Sequence, residues 1–468
     1  MNRTLVLVSL DTLRSDCVGA HPVKLFSTDY PSLTPPRTEV LDKLVSEGTY
    51  FLNCISAAPY TSASHAAYFT GRWPLKNGVY EIYNRALRSR DIFQIGQANG
   101  YQTLFKTDFP LVLGPYLGFT RGVDQYLIED DEAFLEAMKG PEPKVAFAHF
   151  GGVHFPYGFH NLRFGGQAYR DCVEDLEARY PVQNFEFPDK IDETYRDDAD
   201  REMLLRYKRV VQYLYINKLY TELFSLYLRG IEFFLENRFQ PFIDRLTQTL
   251  AGRPYLLVIF GDHGEQWDAD SYAHHNSLNE GILRVPLIMT GTDVPAGKTF
   301  RHRVRTIDVL PTILEWLGIR RSSSLDGKSL WPLINGERQT PEESIAFAQA
   351  HNCEPDAFSK MQAHLLRTGR KGRLKHRLTK EAVYDGEYKY IRQHYAYQDG
   401  VLGMLPTSRE ELYRIGEDLR PVRVHNLNLC RRMARLLDEY NQGRIASAPS
   451  VAAPEDLRRY LQDFGYNV

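Results

Sequence analysis

The chain has 468 residues, 43% of them hydrophobic and 25% charged, with a formal net charge of −2. Such a chain has the profile of a soluble globular protein with a core large enough for two units, and its charge excludes a partner held by bulk electrostatics, such as nucleic acid or an anionic membrane. The five cysteines, Cys17, Cys54, Cys172, Cys353 and Cys430, are scattered and form no CxxC pair, which argues against a disulfide framework and against a cysteine metal site.

The first element is the apolar run at residues 5–10 (LVLVSL). It is too short for a signal-peptide core or a membrane span and reads as a buried strand of a parallel sheet. No later apolar stretch reaches spanning length, so the expected location is cytoplasmic, with no membrane span. Asp11 follows in SLDTLRSD. An aspartate there either caps the next turn or stands where open α/β sheets build their sites, just beyond a strand end. A helical pattern at 38–47 and a strand near 50–55 lead into APYTSASHAAYFTGRWPLKNG at 58–78. Within it, Thr61 is either a helix cap or a nucleophile. A helix near 91–99 and a turn into a strand at 100–105 come next, then an apolar strand at 144–150.

His154 follows in HFGGVHFPYGF, a lone imidazole among aromatics that reads as a structural residue or as part of a site. From 158 to about 226 the rhythm breaks. That region is charged, aromatic and helical toward its end, with the pattern continuing to about 246: a surface excursion or a lid. The strand YLLVIF at 255–260 ends in GDHGE, and AHHNSLNEGILRVPLI carries the pair His274-His275, of which one is incidental. A strand at 285–289 follows. From about 341 the composition changes to a hairpin around Asp385-Gly386 and a terminal helix at 454–464. Strands alternating with helices predict an α/β fold, a three-layer α/β/α core around a mostly parallel sheet, spanning 1–340. A smaller α+β unit with an antiparallel sheet is expected over 341–468.

The adjacent Asp262 and His263, set between glycines after a buried strand, form the most specific local signal. Carboxylate with imidazole suits a divalent ion, and the imidazole tilts the choice toward transition metals. Asp11, Thr61, Asp262 and His263 together would offer two carboxylates, a hydroxyl and an imidazole. A hydroxyl on a divalent cation loses its proton readily and becomes a nucleophile, while histidines hold anionic oxygens or protonate a leaving group.

SLDTLRSD, PYTSASHAAYFTGRWPLKNGV, VHFPY, GDHGE and NEGILRVPLI, in this order, resemble the sulfatase family of the alkaline phosphatase superfamily, as do the later TIDVLPTILEWLGI, DGKSLWPLING, DGEYKYI and ELYRIGEDLRPVRVHNL. The resemblance spans nearly the whole chain outside 158–226, and implies the alkaline-phosphatase-like core. It also implies that His154 and His274 contact the transferred group or the leaving oxygen, and that Arg72 is structural. Sulfatases carry a Cys or Ser, oxidised to formylglycine, in a Cys/Ser-x-Pro-x-Arg pattern. Here Thr61 occupies that position, Ala63 stands for the proline and His65 for the arginine. His65 therefore joins Thr61, His154 and His274 among the catalytic candidates.

Threonine cannot yield the aldehyde, because its β-carbon carries a methyl. Its presence resembles relatives that move phosphorus groups. Thr12 replaces the second of two aspartates found in many sulfatases, which weakens the case for Ca2+ and favours Mn2+ or Zn2+, with Ca2+ or Mg2+ as the alternatives; one ion is expected, because no Asp-x-x-x-His pair precedes the Asp-His cluster. The family's Gly-Lys-Trp-His segment is replaced by FKTDFPL, within which Lys106 either supplies a positive charge or, as is expected, is an exposed surface lysine. The expected function is a metal-dependent hydrolase or transferase acting on a phosphoester of a small-molecule, glycan- or lipid-derived anion. The alternatives are sulfate-ester hydrolysis without formylglycine and an anion-binding pseudoenzyme.

Overall fold

The structure, a computed structural model, describes residues 3–81, 86–159, 162–185, 199–269, 271–274, 277–320, 324–340, 345–351, 374–399 and 403–443. Cys353, His275 and the terminal helix expected at 454–464 lie outside the described residues.

Strand β1 (Thr4–Leu10) is buried along its whole length. Its residues alternate between two cores: Leu5 and Leu7 pack into one, Val6 and Val8 into the other. That is how a strand covered on both faces behaves, since successive side chains point to opposite sides. Strands β2 (Thr49–Ile55), β3 (Gln102–Thr107), β4 (Gln125–Ile128), β5 (Lys144–Phe150), β6 (Tyr255–Gly261), β7 (Arg284–Gly291) and β8 (Lys298–Arg305) complete an eight-stranded sheet of order β4-β3-β5-β1-β6-β7-β2-β8. All neighbours pair in parallel except β7, which runs against both β6 and β2. Helices lie on both faces, so the three-layer core expected from the alternating pattern is the one observed.

One helical layer holds Thr61–Thr70, Ile92–Ala98 and Val309–Leu317. The other holds Glu39–Ser46, Asp131–Met138 and three helices from the irregular region and its continuation: Ala199–Ile216, Tyr220–Phe234 and Gln240–Leu250. Val210, Leu214, Phe224, Tyr227, Ile231 and Phe234 of that region are buried. At about 1.5–3 kcal/mol for each large apolar side chain removed from water, these helices belong to the core and are not a surface excursion. They approach the sheet closely: a Cβ on Gly152 would fall 2.0 Å from the Phe234 ring. A π-helical turn at Leu235–Phe239 continues into the last of them.

The second sheet is antiparallel, of order β13-β12-β11-β10-β9, built from β9 (Ala346–His351), β10 (Leu374–Asp385), β11 (Tyr388–Asp399), β12 (Gly403–Ile415) and β13 (Pro421–Val424). The expected hairpin joins β10 to β11, turning at Gly386 with φ 54°, a left-handed value glycine adopts without steric cost. Helix Leu427–Gln442 covers this sheet, Met433 and Leu437 packing on Val383, Tyr390 and Leu412. Buried Glu280 links the two sheets, accepting from Lys389 Nζ at 2.6 Å and Tyr384 Oη at 2.9 Å. Among the described residues no helix is long and apolar enough to cross a membrane.

Candidate active site at the strand ends

β1 and β6 are adjacent, and Leu10 pairs with Gly261. This register sets Asp11 and Asp262, the next residue of each strand's chain, side by side at the carboxyl edge where α/β sheets form their sites. The Thr61–Thr70 helix is pinned to the same edge. Ser56 and Ser64 donate to the Asp262 carbonyl at 2.6 and 2.7 Å, and Tyr68 Oη donates to the Gly261 carbonyl at 2.9 Å. Its first turn has no side-chain cap, which leaves backbone N–H groups to face an anion. Gly71, at φ 60°, ends it. Arg72 then bonds the Ser324 carbonyl at 2.9 Å and Ser89 Oγ at 3.2 Å.

Thr61 Oγ1 donates to Asp11 Oδ2 at 3.2 Å. The second claim on that oxygen comes from His149, whose Nε2 lies 2.9 Å away. Asp262 Oδ1 accepts from the backbone N–H groups of Thr12 at 3.0 Å and His263 at 2.9 Å. His263 Nδ1 lies 3.1 Å from the Gly264 carbonyl, an arrangement that protonates Nδ1 and leaves Nε2 a bare lone pair. Each of the three residues thus has one polar atom tied down. The others, Asp11 Oδ1, Asp262 Oδ2 and His263 Nε2, are buried without a hydrogen-bond partner. His263 Nε2 stands 3.6 Å from Asp11 Oδ1 and 3.4 Å from Asp262 Oδ2, and the three side chains offer ligand atoms all within 4.8 Å of one another. Buried polar atoms without partners are costly. Two carboxylate oxygens and an unprotonated imidazole nitrogen converging on one point have the composition a divalent transition metal takes. The residues fit such an ion.

Electrostatics agree. Burial opposes ionisation of Asp11, but the His149 hydrogen bond and the imidazoles of His154 and His263 outweigh it and leave the carboxyl well below the usual range. Burial and the neighbouring Asp11 charge push Asp262 up to about 6, as two crowded carboxylates do to one another.

His65 is fully enclosed behind this cluster. Its Nδ1 lies 2.8 Å from the Thr61 carbonyl and its Nε2 2.8 Å from Ser9 Oγ. Burial, then His149, pushes its pKa down to about 3, so the ring is neutral and reaches the Thr61 hydroxyl only through that residue's own backbone. His154 and His274 continue outward from the ligands: the His263 and His274 ring centroids are 4.4 Å apart, those of His274 and His154 5.2 Å. Glu265 Oε1 stands 3.6 Å from His274 Nδ1, and Glu265 Oε2 accepts from Tyr157 at 3.0 Å.

One expectation is corrected. Lys106 is not at the surface; it is 0% exposed. Its Nζ reaches Asp108 at 2.7 Å, Asp131 at 2.9 Å and the His149 carbonyl at 2.9 Å. Arg238, from the π-helical turn, pairs with the same two aspartates at 2.7 and 2.8 Å. β3 lies inside the sheet, so a lysine there survives only by carrying its counter-charges with it. His149 was also missed, hidden in the run KVAFAHF. A period-two reading finds it: Val145 and Phe147 share its face and both are core, so His149 interrupts an apolar stripe.

The fold is alkaline-phosphatase-like, and the family match makes the protein a hydrolase-type enzyme. The chain belongs to the sulfatase family, whose model matches residues 3–319. It is 23% identical over 384 residues to a Delta 4,5-hexuronate-2-O-sulfatase of Bacteroides thetaiotaomicron, covering 74% of this chain and 75% of that one. It is 21% identical over 312 residues to a low-salt glycan biosynthesis sulfotransferase of Haloferax volcanii, covering 66% of this chain and 63% of that protein. Among solved structures, a phosphonate monoester hydrolase from Silicibacter pomeroyi superposes with a TM-score of 0.57 at 15% identity, covering 96% of each chain.

Proposed function

We propose that the protein is a metal-dependent hydrolase or transferase of phosphorus esters in which Thr61 is the nucleophile. The observation that carries this reading is the Thr61 hydroxyl, 3.2 Å from Asp11 Oδ2, beside three buried ligand atoms without partners. Asp11, Asp262, His263 and the Thr61 hydroxyl would hold one divalent ion, Mn2+ or Zn2+ by the mixed oxygen and nitrogen donors. Bound there, it lowers the pKa of the hydroxyl and offsets the charge of an anionic ester.

Asp11 Oδ2 is already in place to take the threonine proton. Oγ1 then bonds to phosphorus as the bond from phosphorus to the leaving oxygen breaks, and that oxygen collects a proton from His154 or His274. The uncapped N–H groups of the helix first turn face the phosphoryl oxygens. Water or an acceptor alcohol attacks phosphorus next and gives its proton to the histidine that protonated the leaving oxygen, while the bond from phosphorus to Oγ1 breaks and Oγ1 recovers its proton from Asp11. His65 holds the first turn by its bond to the Thr61 carbonyl. Phosphorus is favoured over sulfur because threonine cannot become the formyl aldehyde. The substrate is an anionic ester of a small molecule or of a glycan- or lipid-derived head group, in keeping with relatives named for hexuronate sulfate, glycan biosynthesis and phosphonate esters.

The test compares 4-nitrophenyl phosphate, a 4-nitrophenyl phosphodiester, a phenylphosphonate ester and 4-nitrophenyl sulfate on protein reconstituted with Mn2+ or Zn2+. We expect a phosphorus ester to turn over fastest, T61A to lose on the order of 10³-fold or more, and acid-quenched enzyme to carry a phosphoryl group on the Thr61 peptide. Sulfate turning over fastest would favour the sulfur chemistry of the first two relatives. An active T61A would exclude threonine as nucleophile.

A further inference from the structure

His149 lies one bond away from the proposed metal site, and neither its place in the run KVAFAHF nor the family match gives it a task. It is fully buried, on β5, opposite Ser9 of β1. Both ring nitrogens are engaged. Nδ1 receives the backbone N–H of Asp108 at 3.4 Å and lies 3.4 Å from Thr107 Oγ1. Phe109 N–H donates to that same hydroxyl oxygen at 3.0 Å, which leaves the hydroxyl hydrogen for Nδ1. With two donors aimed at Nδ1, the ring proton sits on Nε2 and is donated to Asp11 Oδ2 at 2.9 Å.

The frame holding this ring is rigid. Asp108 accepts from Gly151 N–H at 2.8 Å and from Arg238 at 2.7 Å, and Lys106 ties its carboxylate to the His149 carbonyl. The ring packs between His65, at 5.4 Å, and Phe109, at 5.2 Å between centroids.

Asp11 has two oxygens and two duties. If its carboxylate turned about χ2, the oxygen beside Thr61 and the oxygen facing His263 would exchange or blur. We infer that His149 is a positioning residue: its Nε2–H locks Asp11 Oδ2 onto the Thr61 side, so that Oδ1 alone is presented toward His263 and Asp262 for a divalent cation. This rests on the metal reading above and adds a determinant outside the ligand set. Hydrogen bonds to a ligating carboxylate commonly decide affinity in this way.

The test is binding of Zn2+ alone, by competition with a chromophoric chelator, to full-length metal-free wild type, H149F and H149Q. Phenylalanine keeps the ring packing and removes the donor; the glutamine amide restores a donor near the Nε2 position. We expect H149F to bind Zn2+ about 10- to 100-fold more weakly, and H149Q to recover most of the loss. Near-UV circular dichroism of the metal-free proteins should be unchanged, which a merely structural role would not allow. If H149F does not fold, H149N, whose shorter amide falls short of Asp11, takes its place. Equal Zn2+ affinity in wild type and H149F, or equal weakening in the Phe and Gln variants, overturns the role of His149 and leaves the metal reading standing. A wild type that takes up no stoichiometric Zn2+ or Mn2+ overturns both.

Discussion

Replacing Lys106 with methionine separates a buried lysine from a surface one by energy. Lys106, Arg238, Asp108 and Asp131 form a neutral group of two cations and two carboxylates, with every pair between 2.7 and 2.9 Å. Methionine fills nearly the same volume, so packing changes little. What remains is one carboxylate charge in excess, on side chains of which Asp108 is 0% exposed. Removing one partner of such a group costs about 3–5 kcal/mol, whereas a surface lysine away from such features costs within about 0.5 kcal/mol. K106M should therefore lower the urea-unfolding free energy of the metal-free protein by about 3–5 kcal/mol. K106M/D131N restores neutrality while keeping the Arg238–Asp108 pair, and should regain roughly 2 kcal/mol through coupling of neighbouring sites. Tryptophan fluorescence follows both unfolding curves. A K106M loss under about 0.5 kcal/mol, or a double variant weaker than the single by the full cost of a second lost pair, would refute the reasoning.

Glu280 supplies a pH-dependent counterpart. Burial opposes its charge, yet Lys389 and Arg284 overcome burial and hold it down to about 2, from an ordinary 4.5. Its stabilisation is complete above about pH 5 and is lost as pH falls toward 2, so wild type should lose about 3 kcal/mol relative to E280Q over that window; parallel curves would exclude the effect. G152A drives a Cβ to 2.0 Å from Phe234, and an overpacked contact of that kind should cost about 1–3 kcal/mol in urea unfolding. Tyr227 Oη donates to the Thr12 carbonyl at 2.7 Å and accepts from Arg14 N–H at 3.1 Å. Y227F leaves both buried groups unpaired and should cost about 1–3 kcal/mol; an unchanged unfolding midpoint would show that the turn after Asp11 does not need the hydroxyl.

Much of the fold was legible because its strands advertise themselves. LVLVSL and YLLVIF are apolar on both faces and run into Asp11 and into Gly261-Asp262, and the Asp-Gly hairpin announces its own turn. What the string of letters withheld was adjacency. Asp11 and Asp262 are 251 positions apart in the sequence and meet only because β1 pairs with β6, an order set by how crossovers pack. His149 was concealed by its apolar setting, and Lys106 by the habit of lysines to be solvated. Each becomes intelligible only when the residues opposite are known, since a buried polar group is explained by its partner. His65 shows the converse: its position in the motif attracted attention, while its bonds tie it to the backbone of the helix.

Glu280 precedes β7 of the large sheet, yet one of its two cations, Lys389, belongs to the hairpin of the small one. Burial holds the Lys389 ammonium below its usual range, so it tolerates that position only beside a carboxylate from the other half. Severing the polypeptide near residue 340 would part Lys389 from its carboxylate and leave Glu280 with Arg284 alone, and would open to water the contact that buries them. Each half made alone should therefore be less stable than it is when joined to the other, and co-production should restore what the lost ion pair contributes.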